Sequence, residues 1–448
     1  MAQKTIDFKN DILEPIASLK EDLSNKITKF YASNQGETHI TDSDNGKIQD
    51  MMIYGKSSQD GTPTPENPVE IKCVVNPTIK LLGSNILKMT DGEYQKNGVT
   101  IAVSNGVAKL KGTADAKLNI VLTNNIIFKE GTKIIFSPNR VKGMEEPDGA
   151  HLDLTNNTTK GFSINSNSIN IPYIIKKEDA KHSFNVYIRI PAGTNFDEIW
   201  KPQILIGETI TAFEPYTEQT ITLPITLNAI PVSSGGNVTI DGQQYIADRV
   251  VEKNGIFGIE RNTATDVPVL TKNLSETPDL KGRFLQNFAF EKAFTVNAPL
   301  VNIGYGKNWG VAGNVIDKWI FGVHEKNFYI SPPKDMNYTS EDIFNALKDL
   351  NIKVYGVLLV PFFEPLPGDI QAKLRTLVAN YPVTNISVTS DQLDGYTVFN
   401  YPISIANGWN YVKQQLNDNR DYIYDMDTQS AEAYVNSEYA VALTELEV

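Results

Sequence analysis

Aromatic side chains beside a run of asparagines are the first group of residues in this sequence that could do chemistry. A sugar ring has an apolar face and a rim of hydroxyl groups, so glycan sites combine flat aromatic side chains with amide hydrogen-bonding groups. We expect the asparagines in polar loops with a tyrosine beside them. Alternatively, the aromatic ring packs into a β-sheet core and the asparagines only form turns. The candidate glycan-binding residues are Tyr173, Asn156, Asn157, Asn165 and Asn167.

Two further residues, Tyr187 and Arg189, lie on or near a predicted strand of the same region. They offer a second aromatic platform and a hydrogen-bond donor for a sugar. The same alternative applies to them, because strand residues alternate between a core and a surface.

Residues that could catalyse a reaction lack the required spacing. His324-Glu325 begins like the metalloprotease helix motif, but Phe328 stands where the second histidine must be. A carboxylate pair that hydrolyses glycosidic bonds remains an alternative, although solvated loop charges explain the candidates equally well. We expect no catalytic residues, no metal site and no cofactor. The acidic residues that flank one predicted loop are Glu145, Glu146, Asp148 and Asp153.

Composition excludes several classes of partner. The formal net charge is −12, and no Lys/Arg-rich run is present, so we expect no nucleic-acid partner. No segment has the length of uninterrupted apolar sequence that a membrane span needs, so we expect no membrane insertion. The single cysteine, Cys73, excludes an internal disulfide and suggests synthesis in a reducing cytosol. Its apolar neighbours favour a small buried core residue.

The first predicted element is a helix over Ile6–Tyr31, followed by an extended anchor. Ile16, Leu23 and Phe30 repeat every seven residues, so the helix either lies on its own domain or forms a short coiled coil between identical chains. We expect a homo-oligomer and favour a trimer. The Pro-rich segment Asp60–Pro68 cannot be helical, because proline removes amide donors.

Short alternating segments separated by turn residues then predict β-structure over most of the chain. A capped helix over Ser340–Leu350, a helix over Pro367–Asn380 and a polar helix over Trp409–Tyr439 interrupt or follow it. The predicted strands are Ile48–Tyr54, Gly98–Val103, Val107–Lys111, Leu118–Thr123, Thr132–Ser137, His151–Leu154, Ser183–Ile190, Trp200–Ile206, Ile221–Leu227, Gly236–Ile240, Lys318–Val323 and Thr384–Thr389.

The predicted fold class is therefore mainly β and multidomain, with an antiparallel jelly-roll sandwich, a second β-rich domain and α-helices at the N- and C-termini. The predicted domains are an N-terminal helix at 1–33, an extended anchor at 34–78, a jelly-roll module at 79–217, a second β-rich domain at 218–377 and a C-terminal strand and helical region at 378–448.

Several phrases resemble minor structural proteins of tailed phages that infect Gram-positive bacteria. Gly55–Ile71 looks like a recurring segment of these proteins. The later phrases are similar to jelly-roll carbohydrate-binding modules of phage tail and baseplate proteins, and to the strand that ends the next unit. These phrases are Leu82–Leu87, Asn97–Thr100, Leu110–Ala114, Ile199–Gly207, Ala212–Tyr216, Lys353–Leu359, Phe363–Pro367 and Asn380–Ile386.

The resemblance implies a virion component of the tail tip, baseplate or tail fibre, made in the host cytoplasm. Its partners would be other tail and baseplate proteins, with host-envelope glycan as a second partner. The resemblance supplies no sugar ligands, because the shared phrases are turns and closing strands. A scaffold that binds no sugar and a cell-wall polysaccharide depolymerase remain the alternatives.

Overall fold

Strands dominate the protein, as the short alternating segments predict. The mainly β, multidomain fold class is confirmed. The predicted polar helix over Trp409–Tyr439 lies outside the described residues, as does the helix over Ile6–Tyr31 except for its last two residues. The computed structural model describes residues 30–35, 38–41, 45–139, 150–156, 163–165, 172–208, 210–276, 283–308, 318–380 and 383–403.

A central unit is assembled from three separate stretches of the chain. Its largest sheet has the order β1-β35-β4-β24-β25-β32-β28, and a second sheet has the order β19-β7-β34-β2. The two sheets share one apolar core around Ile53, Leu81 and Phe399, all fully buried. The strands before the first insertion are β1 Phe30–Gln35, β2 Thr38–Thr41, β3 Gly46–Lys47, β4 Gln49–Tyr54, β5 Ser57–Gln59, β6 Ile71–Val75 and β7 Thr78–Leu82.

The other strands of this unit come later in the chain, and three smaller sheets complete it. The next group is β19 Glu218–Thr222, β20 Thr226–Leu227, β21 Ala229–Val232, β22 Val238–Ile240, β23 Gln243–Ala247, β24 Arg249–Lys253 and β25 Ile256–Asp266. The last group is β32 Val354–Pro365, β33 Val378–Ala379, β34 Val383–Thr389 and β35 Tyr396–Ile403.

Two units are inserted between neighbouring strands of the central unit. Glu218 of β19 pairs with Leu82 of β7, so residues 83–217 leave and return at one point; we call them the first inserted unit. Asp266 of β25 pairs with Val354 of β32, which makes residues 267–353 the second inserted unit. Because both pairs lie in antiparallel ladders, each insertion begins and ends on a paired backbone.

The first inserted unit consists of three antiparallel sheets around one apolar core. The sheet orders are β17-β10-β9-β8, β11-β16-β13-β14 and β15-β12-β18, and every strand pair in them is antiparallel. Trp200, Phe184 and Phe196 are almost fully buried in this core. The antiparallel prediction holds, and a jelly-roll connection of these sheets stays a prediction. The strands are β8 Gly92–Lys96, β9 Val99–Ser104, β10 Val107–Thr113, β11 Leu118–Ile126, β12 Lys133–Ser137, β13 His151–Asn156, β14 Ser163–Asn165, β15 Tyr173–Ile174, β16 Phe184–Ile190, β17 Asn195–Trp200 and β18 Gln203–Ile206.

Asn85 ties together the two ends of the first inserted unit. Its side chain is 1% exposed, and its Oδ1 accepts hydrogen bonds from the backbone N–H of Leu87 at 3.0 Å and of Ile204 at 3.2 Å. Its Nδ2 donates to the carbonyl of Glu214 at 3.0 Å. The entry and closing segments therefore meet on one buried amide, which satisfies backbone groups that no ladder pairs.

The second inserted unit packs a five-stranded sheet against a short helix. Its sheet order is β26-β27-β31-β30-β29, in which β29 and β30 run parallel. Helix α1, Ser340–Leu347, has the predicted cap, because Thr339 and Asp342 form a capping box. Ile343 and Leu347 bury its apolar face in the core. The strands are β26 Ser275–Glu276, β27 Phe284–Gln286, β28 Leu300–Val301, β29 Tyr305–Gly306, β30 Ile320–His324 and β31 Asn327–Ser331. Of these, β28 pairs with β32 and so adds an edge strand to the largest sheet of the central unit.

Several predicted elements end differently in the structure. Phe30 and Tyr31 begin strand β1, so a helix over Ile6–Tyr31 cannot include them. The segment Trp200–Ile206 divides into two strands at Pro202, which cannot donate to a ladder. The helix predicted over Pro367–Asn380 is α2, Gly368–Leu374, and the chain then re-enters a sheet as β33.

The predicted domain boundaries need correction because strands pair across long stretches of sequence. Residues 34–78 are not an extended anchor: they contribute strands and buried side chains to the central unit. Residues 218–266 and 354–377 join them rather than forming one domain with 267–353. Strands at 378–403 belong to the same central unit. The first inserted unit, residues 83–217, spans nearly the same residues as the predicted module at 79–217, whose identity as a jelly-roll module stays a prediction.

Candidate functional site

The four-stranded sheet β11-β16-β13-β14 has one face on the core and one polar face. Along β16 the side chains of Phe184, Val186, Ile188 and Ile190 are buried in the core, so the residues between them point to the opposite side. The register places their cross-strand partners on that side too. We call this surface the polar face; it carries Asn119, Val121, His151, Asp153, Thr155, Asn185, Tyr187 and Arg189.

Tyr187 occupies the middle of the polar face. Its backbone pairs with Val121 of β11 on one side and with Asp153 of β13 on the other. Val121 is 46% exposed, so an accessible apolar surface lies beside the partly exposed tyrosine ring. The guanidinium of Arg189 lies 5.7 Å from the centroid of that ring, within the range of a cation–π contact.

Hydrogen bonds hold the ring and the cation in place. Nε of Arg189 donates to Oδ2 of Asp153, whose side chain is only 2% exposed. Nδ2 of Asn185 donates to the Tyr187 hydroxyl at 3.1 Å, and Oδ1 of Asn185 accepts from the backbone N–H of Asn125 at 3.2 Å. The buried Asp153 carboxylate needs a partner such as the Arg189 guanidinium, because desolvation of an unpaired charge costs several kcal/mol.

This arrangement can bind a polar ring. Tyr187 and Val121 present an apolar surface, and the Arg189 guanidinium carries donors beyond the one that it gives to Asp153. A rigid aromatic platform beside oriented donors suits a sugar, which has an apolar face and acceptor oxygens at its edge. In the part of the chain that the structure describes, no three His, Cys, Asp or Glu side chains are grouped to hold a metal ion.

Tyr173, the first of the sequence-predicted site residues, lies on a different sheet. It begins β15, which pairs with β12, and its ring packs against the core of the unit. Its hydroxyl donates to Oδ2 of Asp179 at 2.9 Å, and Asp179 is 6% exposed. Burial and this acceptor raise the pKa of the Tyr173 hydroxyl well above its usual value. These contacts favour a role in packing.

The two predicted asparagines that the structure describes lie in strands and not in a loop beside Tyr173. Asn156 is 8% exposed at the end of β13, where its backbone pairs with Phe184. The backbone of Asn165 lies in β14, opposite Asp153. Asn157 and Asn167 lie outside the described residues. Asn156 and Asn165 therefore both lie in strands of the sheet that carries the polar face, while glycan binding by the predicted set stays a prediction.

Sequence reasoning missed Asp153 and Asn185 as members of this surface. Asp153 lies in the predicted strand His151–Leu154, which is β13, but its charge was interpreted as one of several beside a loop, whereas its carboxylate is buried against Arg189. Glu145, Glu146 and Asp148 lie outside the described residues. The alternation Asn185, Tyr187, Arg189 against Val186, Ile188, Ile190 was the available signal. This alternation predicts that β16 has a polar face, but it does not predict that β13 is the strand paired with it.

Within the described residues no helix is long and apolar enough to cross a membrane. Comparison with known proteins gave no match to a protein-family model, to a curated protein sequence or to a solved structure.

Proposed function

We propose that the protein is a structural component of a phage tail tip, baseplate or tail fibre that contacts host-envelope glycans through the polar face. The observation that carries the glycan part is the contact between the partly exposed Tyr187 ring and the Arg189 guanidinium, which the buried carboxylate of Asp153 holds. The virion part rests on the sequence phrases that resemble phage tail and baseplate proteins.

The positions of those phrases support an architecture shared with phage tail and baseplate proteins more than they support a sugar site shared with them. Leu82–Leu87, Ile199–Gly207 and Ala212–Tyr216 meet around Asn85, whose amide bonds to backbone groups of all three. Ser84 donates to the Glu214 carboxylate at 2.7 Å in the same place. These segments close the first inserted unit, so the resemblance marks where the unit begins and ends. It gives no support for sugar binding at the polar face.

One experiment separates the three functional alternatives. The full-length protein is applied to a glycan array, and a parallel sample is incubated with cell-wall polysaccharide and assayed for reducing sugar. Binding without sugar release supports the proposal. Neither binding nor release favours a scaffold that binds no sugar, and release of reducing ends identifies a depolymerase.

Electron microscopy tests the virion part independently. Gold-labelled antibodies against this chain are expected to decorate the tail tip, baseplate or fibres of the particle. Labelling confined to the capsid, or found only in lysate protein outside particles, contradicts the assignment.

A further inference from the structure

A cleft of about 660 Å³ in the central unit carries a second site. It is lined by β20, β25, β32 and the residue between β23 and β24, together with Lys292 of the second inserted unit, and it is separate from the polar face. Its volume falls in the range of small-molecule sites. Its principal lining residues are Asn228, Asp248, Arg261, Lys292, Phe362 and Glu364.

Asp248 is the fixed polar group at the floor of the cleft. It is fully buried, and its Oδ1 accepts from the backbone N–H of Asn262 at 2.9 Å and from the N–H and hydroxyl of Thr263 at 2.8 and 3.0 Å. Its Oδ2 lies 3.2 Å from Nη1 of Arg261. This many donors on one carboxylate stabilise a rigid arrangement.

Arg261 extends from this floor to the rim. Its Nη1 donates to the carbonyl of Thr226 at 2.6 Å, and its Nε donates to Oε2 of Glu364 at 2.8 Å. The Glu364 side chain is 51% exposed, so the ion pair reaches solvent. The guanidinium is thus held in one orientation before any ligand arrives, which reduces the entropy lost on binding.

Phe362 supplies an aromatic surface next to these charges. Its backbone pairs directly with Arg261, which places the two side chains on one face of the ladder. The ring is 49% exposed, although phenylalanine is usually buried. A register shift between Arg261 and Thr263 lets the preceding residues of β32 bulge outward. Bulges of this kind redirect side chains beside functional sites.

The side chain of Asn228, in the wall of the cleft, has a hydrogen-bond acceptor that is unpaired within the described part of the chain. Asn228 is 7% exposed and lines the cleft, yet its buried Oδ1 has no hydrogen-bond partner among the described residues. Natural proteins rarely leave such a group unsatisfied, because its desolvation costs about 1–3 kcal/mol. The Asn228 amide, in the wall of the cleft, therefore has hydrogen-bonding capacity that the described residues do not use.

We infer that this cleft binds a neutral, hydroxylated ring of the pyranose class. Two cationic side chains, Arg261 and Lys292, face two acidic ones, Asp248 and Glu364, so the lining has no net formal charge to attract an ion. The Phe362 ring suits the apolar face of a pyranose, and the oriented polar groups suit its hydroxyls. The inference does not depend on the polar face.

The test uses saturation-transfer difference NMR on the full-length Tyr187→Ala variant, so that the polar face does not contribute. The probes are methyl α-glucoside, methyl β-galactoside, N-acetylglucosamine and rhamnose, with glucuronate as the charged comparison. Millimolar binding suffices for a signal. At least one neutral sugar is expected to receive saturation, and to receive more than glucuronate does.

A second substitution locates the signal. Adding Phe362→Ala is expected to abolish the saturation transfer, whereas adding Val360→Ala, which alters a 73% exposed residue of the same strand, is expected to retain it. Circular dichroism must show the same thermal midpoint for both variants; if Phe362→Ala lowers it, Phe362→Leu takes its place, since it keeps the volume and removes the flat ring. Absence of any signal, persistence of the signal without the aromatic ring, or preference for glucuronate overturns the inference.

Discussion

Nε of Arg189 donates a hydrogen bond to Oδ2 of Asp153 diagonally across the β13–β16 ladder. The direct backbone partner of Arg189 is His151, and that of Asp153 is Tyr187. The diagonal contact therefore draws the guanidinium towards the Tyr187 ring. The buried Asp153 carboxylate orients the cation, and Asn185 holds the Tyr187 hydroxyl, which makes the polar face a preorganised surface.

Removing the cation should destabilise the first inserted unit. Arg189→Ala leaves the buried Asp153 carboxylate without this partner, and we expect a loss of about 2–3 kcal/mol in the free energy of unfolding, since the pair is partly exposed on the arginine side. Urea unfolding followed by tryptophan fluorescence measures it. Adding Asp153→Asn should recover part of the loss, because it removes the buried charge. An unchanged midpoint for Arg189→Ala would show that the pair contributes nothing.

The two tyrosines should respond differently to substitution. Tyr187→Ala removes the platform of the polar face and should reduce binding to array glycans, with little change in unfolding midpoint because the ring is partly exposed. Tyr173→Phe keeps the core packing but leaves the buried Asp179 without its hydroxyl donor, so we expect about 1 kcal/mol lower stability and unchanged binding. Glycan binding lost in Tyr173→Phe and retained in Tyr187→Ala would reverse the two assignments.

Asn85→Ala should be among the most destabilising polar substitutions in the chain. It removes an acceptor for two backbone N–H groups and a donor to Glu214, all at a buried site, and we expect a loss of about 2–4 kcal/mol. The matched control is Asn119→Ala on an exposed position of β11, which should stay within about 0.5 kcal/mol of the wild type. Equal effects of the two substitutions in urea unfolding would contradict this account of the closure.

Local turn chemistry explains why so many strands were predictable from the sequence. Four two-residue connections have an asparagine or aspartate followed by glycine, both at positive φ, as type I′ hairpin turns require. The alternating segments on either side then become neighbouring strands. The capping box of α1 is likewise a local signal. The turn pairs are Asn97-Gly98, Asn105-Gly106, Asp241-Gly242 and Asn254-Gly255.

Non-local pairing explains what the sequence did not reveal. Leu82 pairs with Glu218 on one side and with Asn385, about three hundred residues away, on the other. The local sequence patterns of these strands do not predict which strands they pair with. Residues 34–78 therefore looked like a linker, although they pair with distant strands. The same limit applies to the polar face. Alternation along β16 predicts that Tyr187 and Arg189 lie on one face of the sheet, but the register of β13 against β16 is needed to place Asp153 beside them.

Self-association should depend on the N-terminal heptad seam. Ile16 and Leu23 lie outside the described residues, and the prediction rests on their seven-residue spacing. Light scattering on the full-length chain should give a multiple of the monomer mass, with three favoured. Changing both residues to Lys should return the mass to that of a monomer, whereas changing Lys20 and Lys26 to Gln should not. A monomer in the unmodified chain at micromolar concentration would contradict self-association by the chain alone.

Glu218 should make the base of the first inserted unit sensitive to acid. Its carboxylate accepts from the Tyr216 hydroxyl and from the Thr220 hydroxyl, with Lys80 and Lys88 nearby, and these contacts lower its pKa to about 2. Because the folded pKa lies below the unfolded value of about 4.3, the ionised group stabilises the fold above that value, and the contribution is lost as the pH falls through about 2. Glu218→Gln should therefore cost about 1–2 kcal/mol near neutral pH, with the difference shrinking progressively below pH 4. Urea midpoints of both proteins across this range measure it, and a difference that stays constant or grows on acidification would show that Glu218 is not the group responsible.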